Sequence, residues 1–212
     1  MSDELGCELY GDLPVLNVGE EVPDFKMETF EPSTGSFGEV SLDNLKTDGK
    51  WTILVFYPAD FTFVCPTELA DLAAQDSKLT ELGAKVIGVS TDTKFAHLAW
   101  CREEKLMTDV KYTLAADTNG VVSSLFGVYD DETGLALRGT FIISPEGKLM
   151  NSEVNFYNMG RNIDEMLRKF KANLYLSKKS DEGCPAKWKD EGDKTLKPSA
   201  KMVGKVHEAL ND

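Results

Sequence analysis

The chain lacks any long apolar run. Its longest buried-looking stretch, Trp51-Thr-Ile-Leu-Val-Phe56, falls far short of the ~18–20 residues a transmembrane helix needs, so no membrane partner is expected. Histidine is scarce: two in 212 residues, both far in sequence from any ligand cluster, so no metal is expected. Cysteine is scarce as well, with four residues at positions 7, 65, 101 and 184 separated by 58, 36 and 83. Such gaps exclude a Cys-x-x-Cys pair and a zinc knuckle, and four cysteines are too few for a disulfide scaffold. No Asn-x-Ser/Thr sequon occurs, and the first ten residues are acidic without an apolar centre, unlike a secretory signal. The expected compartment is therefore the reducing cytoplasm, where a disulfide is more often catalytic than structural. Positive charge is in deficit too. Lys and Arg number 23 against 36 Asp and Glu, a net charge of −13, so a phosphate backbone is repelled and nucleic acid is not expected as a partner.

What is present suits a soluble globular protein, with 42% hydrophobic and 28% charged residues. Residues 1–50 read as a loop-rich leading segment, with turn chemistry at Val22-Pro23 and at Glu31-Pro-Ser-Thr-Gly35. A buried strand is expected at 51–57, ended by Pro58, and a helix over about 64–79 with Leu69, Leu72 and Ala73 on one face. Lys85–Ser90 reads as a second buried strand, and Thr91-Asp-Thr93 caps a helix over about 94–104. A short strand near Tyr112–Ala115 and a short helix near Val121–Phe126 follow. Thr140–Ser144 and Leu149–Val154, joined by Pro145-Glu-Gly-Lys148, form a hairpin. The cleanest helical period is Ile163, Met166, Leu167, Phe170 and Leu174, within a helix over about 161–176. The early strand–helix–strand order demands parallel pairing, and the late hairpin adds antiparallel edges. An α/β, thioredoxin-like mixed sheet flanked by helices fits this order. We expect a domain over 1–176 and a C-terminal arm over 177–212. The arm carries 15 charged residues in 36 and a short helix near Ala200–Leu210, and reads as poorly buried.

Cys65 is the candidate for chemistry. It follows a buried strand and a tight loop and begins a helix, where Pro66 is tolerated because its missing N–H would be unpaired. A helix N-terminus offers free N–H groups and roughly half a positive charge, and both favour a thiolate. The bland alternative is a small buried hydrophobe. Thr62 lies on the loop that delivers the cysteine, and its hydroxyl can donate to an anion or hold a bound oxygen; otherwise it is a local backbone partner. Pro58 offers an apolar ring without a donor, or is merely a turn former. As a set, Pro58-x-x-x-Thr62-x-x-Cys65 is far more specific than its members. The run Cys65-Pro-Thr-Glu68 supplies no second thiol nearby, so a redox partner for Cys65 must come from far away in sequence.

Phe56-Tyr-Pro-Ala-Asp-Phe-Thr-Phe-Val-Cys-Pro-Thr-Glu-Leu69 resembles the active-site loop of the peroxiredoxins, and Gly183-Cys-Pro-Ala-Lys-Trp188 resembles the resolving-cysteine segment of their typical two-cysteine subfamily. Within it the likeness is to the peroxidase subunits of alkyl hydroperoxide reductases. It runs from about Gly19 to the C-terminus and includes His97-Leu-Ala-Trp100 and Arg138-Gly-Thr-Phe141. It implies a thiol peroxidase acting on hydrogen peroxide and organic hydroperoxides without a cofactor. Cys65 matches the peroxidatic cysteine, which becomes a sulfenic acid. Thr62 and Pro58 match the residues that position the peroxide and shield the sulfur. Arg138 matches the active-site arginine, and Glu68 the glutamate that orients the arginine network. Cys184 matches the resolving cysteine, supplied by the other subunit of a homodimer; such dimers commonly form a ring of five. The resulting disulfide is reduced by an external dithiol, a flavoprotein disulfide reductase or thioredoxin.

The chain departs from the over-oxidation-prone members of that family. Arg102–Met107 lacks their Gly-Gly-Leu-Gly insertion, and no Tyr or Phe follows Tyr175. This implies a loosely held arm, fast disulfide formation and resistance to inactivation. Cys101 reads as a packed thiol, Cys7 as incidental, and His97 with Trp100 as packing or interface residues. Three other functions compete with the peroxidase: a thioredoxin-like chaperone or binding module with a non-catalytic Cys65, a disulfide exchanger acting on proteins, and a Cys–His hydrolase.

Overall fold

The computed structural model describes residues 15–211; Cys7 and the acidic first ten residues lie outside them. The chain divides into two compact units, one reaching to Ile163 and the other from Asp164 onward.

The first unit is built on β1 (Lys26–Glu31), β2 (Ser36–Ser41), α1 (Leu42–Thr47), β3 (Trp51–Phe56), α2 (Cys65–Glu81), β4 (Ala84–Ser90), α3 (Lys94–Glu103), β5 (Thr113–Ala116), α4 (Val121–Leu125), β6 (Tyr129–Asp130), β7 (Leu135–Ala136), β8 (Arg138–Ile143) and β9 (Leu149–Asn155). Seven strands form one sheet in the order β2-β1-β5-β4-β3-β8-β9. β3, β4 and β5 pair in parallel, as the two helical crossovers require, while β8 joins β3 and β9 joins β8 antiparallel. α2 packs against β4, and α3 against β1 and β5.

The leading segment departs from expectation. Residues 26–47 are not a loop but a hairpin and a helix, and β1 lies inside the sheet between β2 and β5. Its turn was legible at Glu31–Gly35; its strands were not, because β1 interleaves Lys26, Glu28 and Glu31 with its buried positions. The segment also contributes Val22, Phe25, Met27, Val40, Leu42 and Leu45 to the main core.

Every residue of β3 is buried, the pattern of a central strand covered on both faces. Leu54 and Phe56 point into the core shared with Ile87, Val89, Ala115, Phe141 and Ile143. Phe126 and Phe141 have ring centroids 4.7 Å apart, and Phe56 sits 5.5 and 5.6 Å from them, within the range of favourable aromatic pairing. This cluster fixes the ends of β3 and β8, where the chemistry-bearing residues emerge. α2 ends at Glu81 with Leu82 as its C-cap, and Gly83 takes a left-handed φ of +89° to turn the chain into β4.

The second unit holds α5 (Ile163–Lys178, its first residue shared with the first unit) and α6 (Val206–Asn211), with the intervening chain largely exposed. The expected arm is exposed over most of its length, and its stretch around Trp188 packs against α5. Trp188 is buried, with its ring centroid 5.6 Å from that of Tyr175, and its carbonyl accepts from Arg168 Nη1 at 2.9 Å. Lys171 pairs with Asp190, and Glu182 accepts from Tyr175 and Thr195. The side chains that fasten this stretch come from α5 itself. No helix among the described residues is long and apolar enough to cross a membrane.

Phe141→Ala should remove about 3–5 kcal/mol of stability, seen as a lower midpoint in urea denaturation of the reduced protein.

Candidate active site

β3 delivers its chain end to the loop Pro58–Val64, and α2 begins immediately after it at Cys65. The β3–β8 register ends at Val55↔Thr140, so Arg138, the first residue of β8, emerges at the same end of the sheet as that loop. Cys65 is fully buried in the first turn of α2, a turn that no side chain caps. Arg138 Nη1 donates to the Cys65 Sγ at 3.4 Å. The same Nη1 donates to Glu68 Oε2, one turn further along α2. Arg138 Nε is held by the carbonyl of Tyr157 at 2.8 Å.

A second guanidinium, absent from the sequence-based set, completes the cluster. Arg161 donates through its backbone N–H and its Nε to Glu68 Oε1, both at 2.9 Å, and through Nη2 to Oε2 at 3.2 Å. Its Nη1 donates to the carbonyls of Phe56 at 2.6 Å and Gly139 at 3.0 Å, tying it to β3 and β8 together. Burial pushes the Arg161 guanidinium down from its ordinary value, and the Glu68 carboxylate opposes that. All three charged side chains are nearly inaccessible, at 4%, 3% and 2% for Arg138, Glu68 and Arg161. One carboxylate thus lies between two guanidiniums, leaving one positive charge beside the sulfur. Arg161 was hard to see in sequence, although arginine is rare here: four residues, at 102, 138, 161 and 168.

The expected residues are not all placed alike. Cys65, Glu68 and Arg138 meet directly. Thr62 lies on the loop, where its hydroxyl donates to the Ala59 carbonyl at 2.8 Å, so its proton is committed and only its lone pairs are free to receive a ligand. Pro58 is buried at the start of that loop. Cys184 belongs to the second unit and is half-buried; its burial pushes the thiol up, while Arg168 opposes that. Cys65, Cys101 and Cys184 are all free thiols. His97 is fully buried, as a packing role implies, but it is hydrogen-bonded to Asp60.

A buried, arginine-flanked cysteine at a helix start, on a mixed sheet of this order, is the arrangement the resemblance implied. Residues 18–152 match the family described as AhpC/TSA. The chain belongs to the AhpC/TSA family. It is a thiol peroxidase, a peroxiredoxin with the thioredoxin fold. It is 44% identical to an alkyl hydroperoxide reductase C of Staphylococcus saprophyticus over 189 residues, covering 89% of this chain and 98% of that one. The alkyl hydroperoxide reductase C of Staphylococcus aureus is equally similar, at 44% over the same span. Among solved structures, the 2-Cys peroxiredoxin of Plasmodium vivax in its reduced form superposes with a TM-score of 0.81 at 34% identity, covering 88% of this chain and 98% of that one. The AhpC of Enterococcus faecalis gives 0.75 at 38%, covering 79% and 98%.

Two expectations follow from this geometry. Glu68→Gln leaves two buried guanidiniums without their counter-ion, so urea denaturation should show a loss of about 3–5 kcal/mol, and oxidation by peroxide should slow by about tenfold or more. Cys101 is pushed up to about 12, first by burial and then by the negative charge of Asp60. Near neutrality it holds its proton; at about pH 8 its thiolate fraction is on the order of 10⁻⁴. Peptide mapping after brief iodoacetamide treatment should therefore find Cys101 unlabelled.

Proposed function

We propose that Cys65 is the peroxidatic nucleophile and Cys184 the resolving thiol of a two-step peroxidase cycle. The observation that carries this is the unequal charge of the buried cluster. Two guanidiniums against one carboxylate leave a single positive charge, and Arg138 aims a charge-assisted donor at the Cys65 sulfur. An anionic sulfur makes that cluster neutral.

The sulfur attacks the terminal oxygen of the hydroperoxide. An S–O bond forms, the O–O bond breaks, and hydroxide or alkoxide departs and takes up a proton. Sulfur loses two electrons and the peroxide gains them, so no redox cofactor is needed. Arg138 stabilises charge on the departing oxygen and stays charged itself. Glu68 and Arg161 position Arg138. Thr62 accepts a hydrogen bond from the peroxide O–H, and the buried ring of Pro58 shields the sulfur. Hydrogen peroxide and organic hydroperoxides both meet these requirements.

The sulfenic acid is then attacked by the Cys184 thiol of a second copy. The S–S bond forms, the S–O bond breaks and water leaves, which forestalls oxidation to sulfinic acid. An external dithiol, from a flavoprotein disulfide reductase or thioredoxin, restores both thiols. In functional terms, residues 1–176 are the peroxidase domain and 177–212 the arm that carries the resolving thiol. The chain acts in the cytoplasm.

Self-association has support on two faces of the first unit. β9 ends the sheet and exposes Met150 and Val154, followed by exposed Phe156 and Met159. On the active-site loop Phe61 and Phe63 are exposed, Phe63 almost completely, and Phe37 and Phe95, whose ring centroids lie 5.2 Å apart, are exposed as well. One face would build the dimer and the other a ring of five dimers.

Treating the protein with one equivalent of peroxide should give a Cys65–Cys184 bridge between subunits, seen as a dimer on non-reducing gels and as a linked peptide pair by mass spectrometry. Cys65→Ser should lower peroxide consumption by at least about 10³-fold. Cys184→Ser should still reach the sulfenic acid without forming the bridge. Peroxide consumption unchanged in Cys65→Ser would sink the assignment and favour a binding module.

A further inference from the structure

A second buried charged cluster touches the active-site loop and has no part in the steps above. Asp60 lies at the loop's centre. Its Oδ1 accepts from the Tyr57 hydroxyl at 2.8 Å, its Oδ2 lies 2.8 Å from His97 Nδ1, and its backbone N–H donates to the Asp92 carboxylate at 2.9 Å. The side chains of Asp60 and His97 are 1% and 0% exposed. The other ring nitrogen of His97, Nε2, faces the Ala115 carbonyl at 3.2 Å. A carbonyl only accepts, so Nε2 carries hydrogen. Nδ1 therefore meets a carboxyl oxygen, and that contact is attractive only with one proton between them, whichever atom holds it. The next residue, Phe61, is a non-glycine in the left-handed region, with φ of +56°, and the Thr62 hydroxyl closes the turn on Ala59. Such a conformation persists only where neighbouring contacts over-determine it. Here Asp60 supplies those contacts immediately before the strained residue.

We propose that Asp60, His97 and Tyr57 form a one-proton clamp that positions the Thr62 hydroxyl for the peroxide, and that loss of the shared proton releases the loop. The proposal rests on the assignment of Cys65 and Thr62 to the peroxide site. Groups from every surrounding element face the clamp. Tyr57 comes from the end of β3, Ser90 from β4, Asp92 from the turn after it, His97 and Cys101 from α3, and the Ala115 carbonyl from β5; Lys111 acts on Cys101 from the chain before β5. Burial pushes the Asp60 carboxyl up, and Asp92 adds to this while His97 opposes it. Burial pushes the Tyr57 hydroxyl up as well, so it remains a donor. A carboxyl raised in this way keeps its proton to higher pH than an ordinary aspartate. Removing the shared proton leaves the Nδ1 lone pair facing a carboxylate oxygen, so the clamp is closed while the proton is present and opens once rising pH removes it.

The test compares two rates on the full-length reduced protein: oxidation of Cys65 by hydrogen peroxide and its alkylation by iodoacetamide, which does not use Thr62. Their ratio cancels the titration of the sulfur itself. Asp60→Ala should lower the ratio by about tenfold or more, because a displaced positioning group costs rate in this range. Asp60→Asn can donate to Nδ1 and accept from Tyr57 without a titrating proton. It should stay within about threefold of wild type at neutral pH, and its ratio should remain flat with rising pH over whatever range that of the wild type falls. An unchanged ratio in folded Asp60→Ala would overturn the clamp, and so would a fall with rising pH in Asp60→Asn matching that of the wild type. If Asp60→Ala does not fold, the Asp60→Asn profile decides. Loss of peroxidase activity in Cys65→Ser alongside normal Asp60 variants sinks the clamp alone; full activity in Cys65→Ser sinks the underlying assignment.

Discussion

The buried Glu68 carboxylate, shared between Arg138 and Arg161, is the constraint on which the rest of the active site depends. Ions in a protein interior are costly unless paired and fully hydrogen-bonded. Here every participant is tied to a different element: Glu68 to α2, Arg138 to β8, and Arg161 to the chain before α5 and to the carbonyls of Phe56 and Gly139. The cluster therefore acts as a joint that fixes the start of α2 against the ends of β3 and β8. Its surplus positive charge falls at Cys65 because that residue occupies the first turn of the same helix. The joint and the proposed activation of the nucleophile are one set of contacts.

The loop Pro58–Val64 is held at two points, and the two holds differ in kind. At its C-terminal end the guanidinium cluster grips α2 with permanent charges. At its centre Asp60 is gripped by His97 and Tyr57, a contact that depends on a proton. Between them lies Phe61, strained in its backbone and 58% exposed, with Phe63 more exposed still. The loop combines a rigid polar underside with an apolar outer surface. Such a loop can present a hydroxyl at a fixed position while its aromatic face remains available to another copy of the chain.

Legibility in the sequence followed the range of the interactions involved. β3, β4 and α2 were readable because local pattern and burial agree: an unbroken apolar run for a doubly covered strand, and Leu69 and Leu72 on one helical face. β1 and β2 were not, because each mixes charge with its few buried residues and is a strand only by virtue of its neighbours. Cys65, Thr62 and Pro58 were visible as a compact motif. Arg138 entered through its family resemblance, since 73 residues separate it from the sulfur it contacts. Arg161 lies 93 residues from Glu68 and had no motif of its own, so nothing local distinguished it from a surface arginine. The arm's composition correctly implied exposure but not attachment, because the attachment is made by side chains of α5.

In the proposed cycle Thr62 sets the polarity of substrate recognition. Its proton is committed to Ala59, so the hydroxyl meets a ligand as an acceptor. With Cys65 as nucleophile, the ligand must then supply three features together: an O–H to donate to Thr62, an oxygen open to attack by the sulfur, and a leaving oxygen that can accept from Arg138. A hydroperoxide has all three on adjacent atoms. A protein disulfide has no hydrogen to donate and presents sulfur where the site expects oxygen. An ester or amide can accept from a guanidinium but has no O–O bond for sulfur to break. Discrimination therefore does not need a shaped pocket for the organic part of the substrate. It follows from the direction of one hydrogen bond and from one uncompensated positive charge.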